Sequence, residues 1–398
     1  MRKHYFVYYP SSEGNIIEEW EQCLKKIENS ILLKYKVVKL NIFVDIPDYH
    51  SFLSFRLNVI KSVQTLFGSA CPALNVTVHP PGKPWKIAVE ITCVLSDEVI
   101  IKGKKFGDFP YLLIEYGSVT ELWAGGISSY HYADNTQLAA SDAFKIMASI
   151  LEKEKFSFNH LVRQWNYIGN ILQVRNGFQN YQIFNEVRND FYSKYRTING
   201  FPAATGVGMK FGDVILDFCA MRSDDTLNIK AIDNPEQVNA YEYGEQVLIG
   251  ATEKKRSVKN PPKFERALMI FNKAGAHLHI SGTASILGQE TEGKGDIEKQ
   301  TLITIGNIKK LADTKRLGRL FADKSFDEQF FLLRVYIKCR SDFQVVRQIC
   351  NSHFPDVPII YLEADICRDD LLMEIEAEVG LNRGERIPPS FAAGLAGK

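Results

Sequence analysis

The spacing of apolar residues predicts a unit of strands and helices in the C-terminal third of the chain. Apolar residues that alternate with polar ones indicate strands, and apolar residues three and four positions apart indicate helices. The predicted elements are, in order, strand 277–285, helix 296–311, strand 330–337, helix 341–352 and two strands that flank a turn at Arg368. This part of the chain therefore predicts a mixed sheet with helices packed on one face.

The same order of elements recurs in the middle of the chain. The predicted elements of this second copy are strand 122–129, a helix near Gln137, strand 161–168, helix 177–195, strand 201–208 and strand 214–221. Gly126 aligns with Gly282, and Gln137 aligns with Gln300. In this alignment Asp217 lies opposite Glu374 of the last predicted strand.

A first copy, consisting of the second half of the unit, precedes these two. Its predicted elements are strand 36–44, helix 48–67, strand 71–78 and strand 85–93, with Glu90 opposite Glu374 and a degenerate helix expected within residues 1–30. The fold class is therefore predicted as α+β, with tandem modules that form a pseudo-trimer in one chain and clefts between neighbouring units. The expected domains are residues 1–110, residues 111–250 with the inserted helix, a basic linker at 251–263, and residues 264–398.

A row of carboxylates marks the last predicted strand, residues 371–379. Glu374, Glu376 and Glu378 alternate with apolar residues, so they share one face at intervals of about 6.6 Å. One hypothesis is a solvated acidic face. The other is that at least one carboxylate faces a cleft, where burial and like charges raise its pKa and make it a proton donor. Cys367 could reach the same cleft, or it could be a buried small apolar residue.

Two further stretches interrupt the repeat. In the helix predicted over 177–195, Tyr181 and Arg188 share a mostly aromatic face, which is usually a core face. A desolvated arginine needs an anionic partner, which protein or ligand can supply. Residues 251–266 are rich in lysine and arginine and contain two adjacent prolines, so they are predicted to be a solvated linker.

The composition argues against several classes of protein. The chain has 398 residues with a formal net charge of +1, so no overall field attracts nucleic acid or an anionic membrane. No apolar stretch is long enough to span a membrane, and neither a signal sequence nor a phosphate-binding loop is visible. The seven cysteines form no CxxC pair, which favours a reducing, cytoplasmic environment. His277 and His279 are predicted to be packing or edge residues rather than metal ligands.

Two families resemble this pattern. Residues 278–291, 295–301 and 373–377 resemble the Rid family of imine and enamine deaminases, which are trimers with sites between subunits. This resemblance implies the fold, whereas the arginine with which Rid proteins hold a substrate carboxylate has no counterpart within residues 358–361.

A second resemblance extends over nearly the whole chain. The stretches that carry it are residues 163–168, 181–188, 200–209 and 363–376, which together look like the chorismatases. These are monomeric enzymes with Rid-like modules that remove pyruvate from chorismate. The resemblance implies a small-molecule substrate, chorismate, and implies that Glu374 is the catalytic acid. It also implies that Cys367 accompanies formation of 3-hydroxybenzoate. No cofactor and no metal are expected.

The chemistry suggests which residues bind such a substrate. Chorismate has two carboxylates, so Arg163 and Arg188 are candidates for charge-assisted hydrogen bonds. Tyr167 and Tyr181 are candidate hydroxyl donors. The candidates for close backbone approach are Gly206, Gly208 and Gly282. Each also has an ordinary structural explanation: an ion pair for an arginine, packing for a tyrosine, a bulge for a glycine.

Several alternatives remain open from the sequence. The same scaffold could hydrolyse chorismate to a cyclohexadiene diol and pyruvate, or form a mixture of 3- and 4-hydroxybenzoate. A Rid-type deaminase and a binding protein without turnover are the other hypotheses. The product formed from chorismate distinguishes them.

Overall fold

Three sheets, each with helices packed against it, make up the chain. The computed structural model describes residues 3–223, 227–250, 259–272, 275–320 and 327–382. The observed mixture of sheets and helices confirms the predicted α+β class. Among the described residues, no helix combines the length and the apolar character needed to cross a bilayer.

The first unit has a four-stranded sheet with two helices. Its elements are β1 (Lys3–Tyr8), α1 (Ile16–Lys26), β2 (Tyr35–Val44), α2 (Tyr49–Phe67), β3 (Ala73–Thr77) and β4 (Ile87–Leu95). The predicted helix in the N-terminal segment is α1. The strand β1 was not predicted; it pairs with β4 along the edge of the sheet.

The second unit has a six-stranded sheet. Its elements are β5 (Ile100–Phe106), β6 (Phe109–Tyr116), β7 (Val119–Ile127), α3 (Thr136–Lys153), β8 (Leu161–Gly169), β9 (Val174–Arg175), β10 (Phe178–Gln179), α4 (Asn180–Tyr195), β11 (Ala203–Met209) and β12 (Val214–Ser223). The short strands β9 and β10 form a separate hairpin immediately before α4.

The third unit also has a six-stranded sheet. Its elements are β13 (Asn228–Ile232), β14 (Ala267–Asn272), β15 (Gly275–Ala284), β16 (Ile286–Leu287), β17 (Glu290–Thr291), α5 (Ile297–Leu311), α6 (Thr314–Leu320), β18 (Asp327–Ile337), α7 (Phe343–His353), β19 (Ile359–Glu363) and β20 (Met373–Asn382).

The strand orders confirm the predicted triplication. The four strands that the units share are β1-β4-β2-β3 in the first sheet, β7-β12-β8-β11 in the second and β15-β20-β18-β19 in the third. In every unit the last two strands of this order are parallel, and the second and third are antiparallel. The additional strands β5, β6, β13 and β14 extend the second and third sheets on the opposite side.

Similar capping residues start the equivalent helices of the units. The side chain of Asn135 accepts a hydrogen bond from the Leu138 backbone N–H at the start of α3. Asp296 does the same for the Lys299 N–H at the start of α5. Such caps satisfy amide groups that the first helical turn leaves unpaired. They fix the point at which each chain segment turns from the sheet into its helix.

The sheets shift two predicted boundaries. β5 and β6 belong to the second sheet, so the change from first to second unit comes before Ile100 rather than at residue 110. β13 belongs to the third sheet, so that unit begins well before residue 251. Residues 251–258 of the predicted linker lie outside the described residues, whereas 259–263 pack against α4 and are not a solvated spacer.

The register corrects one sequence alignment. β4, β12 and β20 begin at equivalent points, and their fourth residues are Glu90, Asp217 and Glu376. The ladder irregularity at Gly126 is opposite Asp217, and the one at Gly282 is opposite Glu376. Glu376, not Glu374, is therefore equivalent to Glu90 and Asp217. A shift of two residues leaves every side chain on the same face, so alternation alone could not detect it.

Three buried ion pairs connect the units in a ring. Lys39 of the first unit pairs with Asp217 of the second at 2.8 Å. Arg163 of the second unit pairs with Glu376 of the third. Arg334 of the third unit returns to Glu90 of the first, with 2.6 Å between Nη2 and Oε1.

These six side chains are all buried. Arg334 also contacts Glu376 Oε1 at 2.6 Å, so two of the three pairs share one network. The charges of the three cationic and three anionic side chains cancel. Removing one partner would leave a desolvated charge, which is much more costly than losing a surface ion pair. The ring therefore fixes how the three sheets meet.

Candidate active site

A pocket opens between the second and third units. It holds about 670 Å³ of empty space, including its mouth. Its walls come from the start of α4, from β11, from β15, from the turn before β20 and from the segment that connects the two units. The predicted location of a site, in a cleft between neighbouring units, therefore agrees with the structure.

Glu374 is the acidic residue in this pocket. It is the second residue of β20, and its side chain is 5% exposed. Burial, followed by the negative charge of Glu376, raises the pKa of Glu374 to about 8. A carboxyl group with this pKa is mostly protonated at neutral pH, and is an acid rather than an anion.

Glu376, two residues further on, stays ionised. Burial opposes its charge, but Arg334 and Arg163 outweigh that effect and lower the pKa of Glu376. The two neighbouring carboxyl groups thus have different protonation states because only one of them contacts cations directly. Such separation of two pKa values is a common way to divide roles in an active site.

The other two units lack this acid. In the register described above, the residues equivalent to Glu374 are Ala88 in β4 and Ile215 in β12, and both are buried. Neither side chain can donate a proton. Although the fold is repeated, only the cleft between the second and third units has a carboxyl group at this position.

Two glycines give the pocket its shape. A Cβ on Gly282 would overlap Oε1 of Glu374, so the absence of a side chain lets the carboxyl group lie against the β15 backbone. A Cβ on Gly206 would be 3.4 Å from the Tyr181 ring. Gly206 and Tyr181 both line the pocket, on the wall that the second unit contributes.

Cys367 lies beside the acid in the pocket lining. Burial, followed by the charge of Glu374, raises the pKa of this thiol to about 12. At neutral pH the sulfur is therefore a neutral thiol, which can donate a weak hydrogen bond and occupy space, but is not a base.

Two arginines supply positive charge to the pocket. Arg266 Nη2 donates to Val238 O and to the Tyr243 hydroxyl, both at 2.6 Å. Its Nε is buried and has no hydrogen-bond partner among the described residues. The Arg368 guanidinium lies 5.1 Å from the centre of the Tyr243 ring, so one tyrosine contacts both cations.

Sequence reasoning missed these two arginines. Arg266 fell at the end of the predicted solvated linker, and Arg368 was noted only as a turn residue. One signal was present: Arg266 directly precedes the apolar strand β14. A residue joined to a buried strand is constrained to lie near it.

Comparison with known proteins adds the family. The family described as "Chorismatase FkbO/Hyg5-like, N-terminal" matches residues 114–220. The 3-hydroxybenzoate synthase of Streptomyces hygroscopicus is 32% identical to this chain over 256 residues, which cover 62% of this chain and 70% of that protein. A chorismatase of Streptomyces rapamycinicus is 30% identical over 256 residues, with the same two coverages. The chain belongs to the chorismatase family.

A solved chorismatase shares the fold. Its crystal structure superposes with a TM-score of 0.63 at 20% identity, and the match covers 95% of this chain and 99% of the other. The chorismatase architecture thus extends over nearly the whole length, as the resemblance in the sequence implied.

The position of Arg163 differs from the one expected of a residue that binds substrate. It does not line the pocket. Its guanidinium contacts Glu376 and donates to Thr205 Oγ1 at 2.8 Å. The predicted contact with a substrate carboxylate is therefore corrected: Arg163 is committed to the central ion pairs and keeps Glu376 ionised.

Tyr167 and Gly208 also lie outside the pocket lining. The Tyr167 ring is buried 5.5 Å from the His79 ring, in the centre of the three units. The Gly208 N–H donates to Asp365 O at 2.8 Å, so it is already used in joining the second and third units. The predicted close approach of the Gly208 backbone to substrate is corrected, because the fold already uses its N–H. The Tyr167 hydroxyl is buried without a hydrogen-bond partner among the described residues, outside the pocket lining, so its predicted contact stays a prediction.

Arg188 lies behind the pocket wall rather than in it. Its Nη2 donates to Asn185 Oδ1 at 2.6 Å, and its charge acts on the neighbouring Tyr181. Its Nε is buried without a hydrogen-bond partner among the described residues, so the predicted contact with a carboxylate stays a prediction. Of the nine predicted site residues, the pocket lining brings together Glu374, Cys367, Tyr181, Gly206 and Gly282.

A histidine cluster lies elsewhere on the same sheet face. His277 Nε2 and His279 Nδ1 are each 2.7 Å from Glu378 Oε2. These three atoms are close enough together to be considered as metal ligands. In this geometry each histidine shares a hydrogen bond with the Glu378 carboxylate.

Proposed function

We propose that this chain converts chorismate into 3-hydroxybenzoate and pyruvate. The observation that carries the proposal is a protonated, buried carboxyl group, Glu374, in a pocket that also contains two arginines. The relatives named 3-hydroxybenzoate synthase and chorismatase support the same substrate.

Charge complementarity supports binding of a dianion. With Glu374 and Cys367 neutral, Arg266 and Arg368 give the pocket two positive charges, and chorismate carries two carboxylates. Hydrogen bonds between guanidinium and carboxylate are stronger than neutral ones. Arg266 still has its Nε–H free of partners among the described residues, so it can bind an oxygen without giving up its bonds to Val238 and Tyr243.

The first chemical step we propose is carbon protonation. The Glu374 proton moves to the methylene carbon of the enolpyruvyl group, which becomes the methyl group of pyruvate. A general acid is most effective when its pKa is near the working pH, and a pKa of about 8 meets that condition. A bound dianion disfavours ionisation of Glu374 further, so the substrate itself helps to keep the proton in place.

The second step is an internal displacement. The ring hydroxyl next to the ether attacks the ring carbon that carries the enolpyruvyl oxygen. The bond between that carbon and the ether oxygen breaks, pyruvate leaves with the oxygen, and the proton of the attacking hydroxyl returns to the Glu374 carboxylate. The resulting oxide then opens and aromatises. Atoms balance without water. Cys367, as a neutral thiol beside the acid, narrows the space near the ring and can donate a hydrogen bond as the oxide opens.

We further propose that the protein acts as a monomer in the cytoplasm. The second and third units of one chain supply both walls of the pocket, so no second copy is needed to complete it. All seven cysteines are free, as is usual in a reducing compartment.

Incubation of the purified protein with chorismate alone tests the proposal. Chromatography should show 3-hydroxybenzoate and an equal amount of pyruvate. The variant Glu374→Gln preserves size and removes the proton donor, so pyruvate release should fall by at least about 100-fold. The matched control is Glu290→Gln, an exposed carboxyl of the same unit.

Two results would contradict the assignment. Unchanged pyruvate release by Glu374→Gln would remove the acid from the mechanism. A diol as the main product of the unmodified protein would favour the hydrolytic alternative.

A further inference from the structure

We propose that Leu248 is a specificity-determining residue, which keeps water away from the enolpyruvyl carbon and so favours internal displacement over hydrolysis. This inference rests on the proposed function. It concerns the segment between the second and third units, of which the structure describes residues 238–250 and 259–266; these described residues are called the strap.

The strap is anchored on both sides of the pocket. On the third unit, Val238 N–H donates to Gly288 O at 2.8 Å, and Gly244 N–H donates to Gln289 Oε1 at 3.0 Å. On the second unit, Asn260 N–H donates to Glu186 Oε1 at 3.0 Å. The described pieces of the strap therefore contact both walls of the pocket.

Arg266 and Lys259 tie the strap to itself. Arg266 donates to Val238 O, which joins the last described strap residue to the first. Lys259 Nζ donates to Leu248 O at 2.7 Å, which joins the two described pieces of the strap close to the pocket mouth. The Leu248 N–H donates to Glu245 O at 3.1 Å. The Leu248 backbone is therefore fixed through both its N–H and its carbonyl group.

The face that the strap turns to the pocket is mostly apolar. The strap residues that line the pocket include Val247, Leu248, Ile249, Pro262 and Phe264. An apolar rim provides no hydrogen-bond partners for a water molecule that enters with the substrate.

Exclusion of water matters because two reactions compete after protonation. In hydrolysis, water bonds to the enolpyruvyl carbon that carries the ether oxygen, and the bond between this carbon and that oxygen breaks. The products are pyruvate with an oxygen from water, and a diol. In internal displacement, the bond between the ring carbon and the ether oxygen breaks, so pyruvate keeps the oxygen of chorismate. The oxygen in pyruvate therefore reports which bond was broken.

Leu248 lines the pocket, and its backbone is held through both its N–H and its carbonyl group. Like Val247 beside it, it is partly exposed, so it lies at the boundary between pocket and solvent. Its neighbours on the preceding turn, Glu245 and Gln246, are exposed and do not line the pocket. One side of this turn faces solvent and the other side lines the pocket. Leu248 lies on the side that lines the pocket.

The test compares Leu248→Ser with the unmodified protein in water enriched in oxygen-18. Pyruvate is reduced to lactate as it forms, by an excess of lactate dehydrogenase and NADH, so that its label is not lost by exchange. Leu248→Ser shortens the side chain and adds a hydrogen-bonding group. We expect the ratio of diol to 3-hydroxybenzoate, and labelled to unlabelled lactate with it, to rise about 10-fold, the size typical of a single changed contact in an apolar pocket. The control is Glu245→Gln, on the solvent-exposed side of the same turn. Both ratios should stay unchanged for this variant.

The outcomes distinguish failure of this inference from failure of the proposed function. If the unmodified protein makes no 3-hydroxybenzoate, the proposed function fails. If it does, and Leu248→Ser releases pyruvate with unchanged product and label ratios, the role of Leu248 is refuted. Should Leu248→Ser fail to fold, Leu248→Ala, which enlarges the opening without adding a polar group, decides by the same ratios.

Discussion

The elevated pKa of Glu374 makes a quantitative prediction about stability. The folded protein holds this proton up to a pH of about 8, whereas an ordinary glutamate loses it near 4.5. Between these values the folded state binds one proton that the unfolded state has lost. The free energy of unfolding therefore decreases as pH rises, by up to 1.36 kcal/mol per pH unit from this residue. The uncharged amide of a Glu374→Gln variant would resemble the protonated carboxyl group at every pH.

The magnitude follows from the two pKa values. Integration gives the unmodified protein a relative loss of about 1 kcal/mol at pH 5 and about 4 kcal/mol at pH 8, an upper bound. A chain of this length loses about 1.2 °C of melting temperature per kcal/mol, from the typical unfolding entropy per residue. The melting temperature of Glu374→Gln minus that of the unmodified protein should therefore grow by about 4 °C between pH 5 and pH 8.

The assay is thermal unfolding followed by circular dichroism at a series of pH values and one ionic strength. A constant offset between the two proteins carries no weight, because the substitution can change packing equally at all pH values. Only the slope with pH is informative, and Glu290→Gln, at an exposed position, should show none. A difference that stays flat from pH 5 to pH 8 would mean that Glu374 is already ionised in the folded protein, and the acid role would have no basis.

Three further predictions concern activity and the core. The value of kcat/KM should fall above a pH of about 8, as Glu374 loses its proton, with a limiting slope of one proton; a flat profile to pH 10 would exclude it as the acid. Arg334→Met should cost about 3 to 5 kcal/mol of stability in urea unfolding because it leaves Glu90 without its cation; a loss below about 1 kcal/mol would show that the buried ring is dispensable. Arg266→Met should raise KM for chorismate by about 10- to 100-fold, the loss of one charge-assisted bond, and an unchanged KM would place the carboxylates elsewhere.

The sequence predicted most strands because their apolar residues repeat with a period of two. β8, β12 and β18 were located to within three residues at each end, and α5 was placed by its capping residue Asp296. Several unpredicted strands lie at sheet edges, among them β5, whose residues are mostly exposed or partly exposed and show weak alternation. β6 and β14, which were also not predicted, lie inside their sheets. Edge strands lack the two buried flanks that give a strong pattern.

The site was predictable only in part. Glu374 could be identified because a row of carboxylates on an apolar strand is unusual. Which arginines line the pocket and which are paired elsewhere could not be predicted, because the partners are far apart in sequence. Arg163 and Glu376 are separated by 213 residues, and no local pattern shows that this arginine is already paired. Arg266, in contrast, was hidden in a basic stretch that resembled a linker.

The closing pair of the ring has a consequence for synthesis of the chain. Glu90 is made 244 residues before its partner Arg334. At about 5 to 20 residues per second, a ribosome takes on the order of 10 to 50 s to cover that distance. During this time the Glu90 carboxylate has no Arg334 to pair with. The first unit therefore cannot complete the buried ion pair on its inner face. The strand that carries Glu374 emerges later still, and a nascent chain therefore gains its acid only when its core can be completed.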